Sequence, residues 1–355
     1  MPGSGYRATM ASIVSIVRIV APSRDGVVAA VQRAMELGRW QEFVPRGSDV
    51  ALKPNLGWDL FLPGATTSPW VIEGVVRTIR EWVGKIYVVE SDQVVVDVEK
   101  ALRLNCIDRL CAEHGLTWVN MTRSPMRTVS LPQGRVLKEL TVPDILLRMP
   151  LITVPVMKTH NKTVITGAIK NQWGCLPMFR HNYHLVLDAA LADINSVVRP
   201  CFAVMDATVG LEGNSPKSGI PKVVNRVLAS GDCVALDAVA AKVMGFAPVA
   251  IAHLQECVAA GLGSADLAAI STMGDDDLSL NLHFLPAHHN VVSWLELVLR
   301  RRPSLRRLFF DTPIFRLCCN ATVAYYAAWY YLLGVGRARR DRIIDETAYG
   351  AQWRA

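Results

Sequence analysis

Apolar and polar residues alternate through "MASIVSIVRIV" (residues 10–20), the period of a strand with one buried face. "SDVALKPNLG" (48–57) is a shorter apolar run that stops in a Pro-Asn-Gly loop. The next stretch, "TTSPWVIEGVVRTIREWVG", changes to helical spacing behind a Thr/Ser-Pro start, which supplies a cap and a proline for the first turn. "KIYVVESD" (85–92) returns to strand character and ends in acid. A helix at about 94–114, a strand at "TWVNM" and a polar patch around "SPMRTVSLPQGR" follow. Two further apolar runs end in chemistry: "DILLRMPLITVPVMKTH", and "CFAVMDATVG" (201–210), which leads into "LEGNSPKSGIPK". "VNRVLASGDCVALDAVAAKVMGF" reads as strand, turn and helix, with Asp232 as its cap and Gly245 closing it. This strand–loop–helix rhythm predicts an α/β fold with mainly parallel sheets flanked by helices. It divides into a first lobe at 10–140, a second at 141–290 and a helical tail at 291–355, with the working site in the cleft between the lobes.

Charge sharpens the division. The 355-residue chain carries +7, yet residues 296–355 alone hold eleven Arg against five acidic residues, leaving +1 for everything before them. A body so nearly neutral argues against a nucleic-acid groove. The eight cysteines form neither zinc-ribbon pairs nor an iron–sulfur run, and most sit among apolar residues. With no secretory pattern at the start, the expectation is a reducing, cytoplasmic setting without disulfides.

Four strand ends concentrate ionisable residues: Lys53-Pro54-Asn55, Glu90-Ser91-Asp92, Lys158-Thr159-His160, and Asp206. Strand ends are where open α/β sheets bind ligands, so their convergence on one crevice is expected, with structural salt bridges as the alternative. Lys158 and Lys170 lie close to apolar walls, which lowers an ammonium pKa and suits a base, a Schiff-base former or an anion clamp. His160 shares that segment. Lys158, His160, Lys170 and Glu90 are the catalytic candidates. Lys53, Asn55, Thr67, Ser68, Asp92, Asn171, Asp206, Glu212, Asn214 and Lys217 are the candidates for holding substrate. His181 and His184, three apart, would align on a helix and with His160 form a candidate set for a divalent metal; packing or solvent exposure of the pair is the competing reading. The loop around Lys217 has the glycines of an anion site but not the order of a Walker A motif, because Pro216 and Pro221 stand where a helix should begin. It is either an anchor for substrate or a rigid turn. Asp275 to Asp277 lack calcium-loop spacing and read as a solvated turn.

These segments, in order, resemble the domain of unknown function 362 family: "LKPNLG", "TTSP", "ESD", "VPVMKTHNKTVITGAIKNQWG", "DATVGLEGNSPKSG" and "ASGDCVALDAVAAKVMG", over roughly 48–246. Many members carry a ferredoxin-like cluster segment, whose cysteines this chain lacks. His160 and Lys170, ten apart and followed by a histidine, are also similar to the spacing in nickel-pincer lactate racemases. That resemblance implies a nickel-pincer-type cofactor anchored on the lysine; a plain substrate clamp remains the alternative. Together these readings predict an enzyme using Lys/His acid–base or covalent chemistry on a small anionic, carboxylate- or phosphate-bearing metabolite. Isomerase/racemase-like or redox chemistry is the expected reaction class. A non-catalytic cofactor carrier or accessory protein, at a membrane or an oligomeric partner, is the alternative.

The tail contains "LCCNATVAYYAAWYYLLGVG" (317–336), twenty residues without a charge between clusters of arginine. Twenty is the minimum for a membrane span. The tyrosines, Asn320, Thr322 and two basic flanks suit an interfacial helix, while burial against the body or a second subunit is the competing reading. Residues 300–342 are accordingly expected to meet an anionic membrane surface or to mediate self-association, making the protein peripheral on the membrane.

Overall fold

The computed structural model describes residues 11–354 apart from positions 216, 289, 290 and 311, and leaves out the side chains of 178, 179, 181, 182 and 293. The alternating start forms β1 (Ser12–Arg18), followed by β2 (Val50–Pro54), β3 (Ile86–Glu90), β4 (Thr117–Asn120), β5 (Met126–Ser130) and β6 (Glu139–Pro143). Then come β7 (Leu151–Val154), β8 (Val156–His160), β9 (Val164–Thr166), β10 (Phe202–Glu212), β11 (Ile220–Ser230) and β12 (Ile270–Gly274).

Ten of these strands make one sheet, ordered β12-β1-β11-β10-β7-β2-β3-β4, with β8 and β9 attached beside β10. Parallel ladders join β10, β7, β2, β3 and β4, and pair β1 with β12; β11 runs antiparallel to both neighbours. The fold is mixed α/β, with a mostly parallel sheet flanked by helices and a helical C-terminal region. The stretches expected as separate lobes contribute to this one sheet, since β1 lies between β11 and β12. The polar patch near 124–135 contains β5, which pairs with β6 in a separate two-stranded hairpin.

Period-two alternation gives each sheet face its own apolar layer. Val14, Ile16 and Ala51 join a core with the helices Leu187–Val197, Cys233–Met244 and Ala252–Ala259. Val17, Val50 and Leu52 join another with the helices Arg24–Leu37 and Pro69–Ile79. Asp232 caps its helix through the Val234 and Ala235 amides, and Gly245 closes it at φ +100°, the left-handed region that favours glycine. The helix expected over 94–114 is broken: Val98–Leu104 ends at Asn105, Cys106 turns at φ +58°, and Ile107–His114 begins again. Asn105 binds back to the Ala101 carbonyl and meets Thr66, so a tertiary contact decides the break.

The aspartates at 275–277 do more than face water. Asp275 accepts from the Arg18 amide and Arg33, while Asp276 pairs with Arg18 and Arg226. All eight cysteines are free thiols. The charge-free run at 317–336 is not one helix. Ile314–Ala327 passes into a π-turn at Ala328–Leu332, and Gly334 at φ +68° separates it from Val335–Glu346. Among the described residues, no helix is long and apolar enough to cross a membrane.

Candidate functional site

The floor of the site follows from strand register. β2 and β3 run parallel, with Leu52 opposite Val88, so Lys53 and Glu90 emerge at neighbouring C-terminal ends. Both are buried, and Lys53 Nζ donates to Glu90 Oε2 at 2.7 Å. Asn55 Nδ2 donates to Asn171 Oδ1 (2.9 Å), and Asn171 Nδ2 donates to Thr153 on β7 (2.9 Å). Lys158, in the middle of β8 rather than at its end, donates to Asn55 Oδ1 (2.6 Å) and to the Ala65 carbonyl (2.9 Å). Gly174 closes over the ion pair: a Cβ there would sit 2.7 Å from Glu90 Oε1 and 2.9 Å from Lys53 Nζ.

One wall is the short helix Ala168–Asn171, which carries Lys170 and Asn171. Its first amides are held by Asp237 from the Cys233–Met244 helix, at 2.7 Å from Ala168 N and 2.9 Å from Ile169 N. Burial pushes Asp237 up to about 7 against those two hydrogen bonds. Lys170 Nζ lies 5.4 Å from the centroid of Trp173 and donates to no protein acceptor among the described residues. The opposite wall carries Arg180. Its guanidinium donates to the carbonyls of Leu176 (2.8 Å) and Asp92 (3.1 Å), while its buried Nε has no protein partner among the described residues.

Lys53, Asn55, Glu90, Lys158, His160, Lys170, Asn171 and Arg180 line one pocket of about 460 Å³, counted out to its mouth. Burial draws Lys158 down to about 7, with Glu90 opposing and Lys53 adding to the shift. Lys170 is lowered to about 7 by burial and then by its cationic neighbours Arg180, Lys158, Lys162 and Lys53. Burial also lowers Arg180, opposed by Glu90. Burial first, and then the positive charge of Lys170 and Lys162, hold His160 well below its ordinary value. The Lys162 amide donates to His160 Nδ1 (3.0 Å), so the neutral ring keeps its proton on Nε2.

At the rim, His184 stacks on Trp173 with ring centroids 5.9 Å apart, and its Nδ1 lies 2.6 Å from Glu296 Oε1. Lys162 donates to Glu296 Oε2 at 2.7 Å, and Arg300 joins the same carboxylate. His184 is thus engaged by Glu296 and Trp173, and burial takes it down to about 4. The side chain of His181 and Pro216 lie outside the described residues.

The remaining candidates sit elsewhere. Thr67 and Ser68 brace the loop: Thr67 Oγ1 accepts from the Asn55 amide and donates to the Val154 carbonyl, both at 2.8 Å. Asp206 faces the helix Pro69–Ile79 rather than the pocket, accepting from the Ser68 amide (2.7 Å) and from Thr208. Asp92 accepts from the Val98 amide at the start of a helix. Glu212 pairs with Lys222 (2.9 Å), and Asn214 accepts from the His288 amide (3.1 Å). Lys217 lies over Trp58, 4.6 Å from its centroid, and burial lowers it to about 8. Sequence reasoning passed over Arg180, Asp237, Lys162 and Glu296. Arg180 opens the segment "RHNYH" (180–184) that ends in His184, but nothing local distinguishes it from a solvated arginine.

A family model described as Domain of unknown function (DUF362) matches residues 50–242, more than half the chain and every residue of this pocket. The chain belongs to the DUF362 family. A thylakoid-associated protein of Synechocystis sp. is 27% identical to this DUF362 chain over 254 residues, which are 68% of this chain and 77% of that protein. Among solved structures, the lactate racemase apoprotein of Thermoanaerobacterium thermosaccharolyticum overlaps with a TM-score of 0.41 and 13% identity, across 69% of this chain and 56% of that one. A protein of Thermotoga maritima overlaps with a TM-score of 0.38 and 12% identity, across 68% and 59%. The chain thus spans a little over half the length of each of these two solved proteins.

Proposed function

We propose that this DUF362 chain binds a small carboxylate- or phosphate-bearing metabolite in the strand-end pocket and moves a proton to or from it. One observation carries the reading. Lys53 is matched by Glu90, but Lys158, Lys170 and Arg180 face the same space with no carboxylate partner of their own among the described residues. Buried cations without acidic partners are costly, and an anion that accepts their unused hydrogen bonds offsets that cost.

Roles follow from geometry. Arg180 Nε and Lys158 hold the anionic group, with Asn55 and Asn171 fixing Lys158 and Lys53 in place. Lys170, near 7 and free of protein acceptors, is the group able to take or give a proton at neutral pH. The neutral His160 offers its Nε2 proton to charge developing on the substrate. The donors facing the pocket are mainly ammonium and guanidinium, which repel a metal cation and suit an anion. His160 makes a poor ligand for a divalent metal because Nδ1 accepts from the Lys162 amide and Nε2 carries the proton, leaving no free ring lone pair. The name of the thylakoid-associated relative supports a working place near a membrane.

The test is melting of the full chain with inorganic phosphate and a panel of small carboxylates, followed by hydrogen–deuterium exchange on the stabilising compounds in heavy water. Anion-dependent stabilisation that is lost in Lys158→Met, with carbon-bound exchange lost in Lys170→Ala, is the expected result. Binding without exchange would move the protein to the carrier class. No stabilisation by any anion would overturn the reading.

A further inference from the structure

We propose that residues 291–337 form a docking surface for an anionic lipid bilayer, with the protein lying on the membrane rather than crossing it. The tail is anchored by its inward face. Tyr326 packs edge-on against Trp58 (5.1 Å), and Tyr330 Oη donates to the Phe61 carbonyl (2.7 Å). On the Ile314–Ala327 helix this leaves Leu317, Asn320, Ala321 and Ala324 exposed at helical spacing. The outward face of a helix packed on a soluble body is ordinarily polar; here Arg316 and Asn320 are set among exposed Leu317, Ala321, Val323 and Ala324. The turn that follows presents Leu332 at 81% and Leu333 at 70% exposure. Trp294, Tyr325 and Tyr331 are exposed nearby, the residue types that sit at headgroup level.

Charge decides the occupant. Arg301, Arg302, Arg306, Arg307 and Arg316 are exposed, and none has an acidic partner among the described residues. The acids of the region among the described residues are used by other groups: Glu296 by Lys162 and Arg300, Asp341 by Arg340, Asp345 by Arg354 and Glu346 by Arg342. Two copies meeting through this face would press like charges together. An anionic leaflet satisfies the arginines and accepts the apolar side chains between them. The absence of a long apolar helix among the described residues fits a surface contact.

Flotation of the full chain with phosphatidylcholine vesicles, with and without phosphatidylglycerol, tests the proposal at low and high salt. Binding to anionic vesicles at least about 100-fold tighter than to neutral ones, and weakened by salt, is expected. Replacing the five arginines by Gln should remove that preference. Leu332→Ser with Leu333→Ser should weaken binding about tenfold or more while salt dependence persists. Circular dichroism and melting check that both variants remain folded, as substitutions at exposed positions should. Failure of the wild-type chain to float, or flotation unchanged in both folded variants, overturns the proposal. So does a salt-stable dimer that the leucine substitutions split in a chain that does not float, because the occupant would then be a second copy.

Discussion

Two buried glutamates organise two charged clusters on this protein, and they make opposite use of their partners. Glu73 accepts from Arg24 (2.7 Å), pairs with Arg77 (2.5 Å) and lies 3.5 Å from His114, while Arg24 also reaches Glu113. The arginine side chains are 41% and 42% exposed, so water shares their charge and the cluster is close to balance. Glu90 instead meets Lys53, whose side chain is 1% exposed, and Lys158 and Arg180 add buried cationic groups with no second carboxylate lining the pocket among the described residues. Glu73, Glu113 and His114 come close enough together for a metal, yet their arginines already neutralise them. Acidic clustering is therefore a poor marker of a site here. A buried excess of one sign is the better one, because a low-dielectric pocket retains charge that solvent would screen.

The largest test of that contrast is stability. Glu90→Gln strands the Lys53 ammonium and should cost about 3–5 kcal/mol in urea unfolding. Glu73→Gln should cost only about 1 kcal/mol, since Arg24 and Arg77 can turn to water. Equal losses would erase the distinction. Next is binding: Lys158→Met should lower phosphate or carboxylate affinity about 100-fold, while Arg24→Gln leaves it unchanged by calorimetry.

The pH profile sharpens the same point. Lys158 and Lys170 sit near 7 in the folded chain against an ordinary 10.5, so between those values the unfolded chain holds more protons and stability rises with pH. Asp237 near 7 against 3.8 acts in the other direction, losing stability as pH climbs between those values. Ligand-free protein should therefore be least stable near neutrality. Saturating phosphate should flatten the upper limb by restoring the ammonium groups. A featureless unfolding profile from pH 5 to about 10 would contradict this. The smallest effect is local: Asp237→Asn keeps one acceptor for the Ala168–Asn171 turn and should cost about 1 kcal/mol, measured by thermal melting.

Much of this was legible in the chain. The alternation in residues 12–18, the helical spacing after Ser68 and the Asp232 and Gly245 caps are local signals, and each corresponds to an element. Lys53, Glu90 and Lys158 could be read as strand ends because an apolar run stops at each. Asp206 gave the same signal, but the sheet turns its carboxylate toward Ser68, away from the pocket. Arg180 and Asp237 carried no signal of their own, since a single arginine in a polar run and a carboxylate within a helix look ordinary. The charge-free tail was visible as a run, whereas its break at Gly334 and its anchoring by Tyr326 and Tyr330 were not.

By itself, the sequence determined the periods of strand and helix, the residues at which strands stop and the surplus of arginine near the C-terminus. These depend on backbone geometry and side-chain type within a few residues. Only the tertiary structure decided which strand ends share a pocket and which cations lack an acid. It also decided that Asp237, some 69 residues away from Ala168, holds the helix bearing Lys170. Those outcomes depend on sheet order and register, where groups distant in the chain are brought within a few ångströms and the low dielectric makes each missing or present partner count.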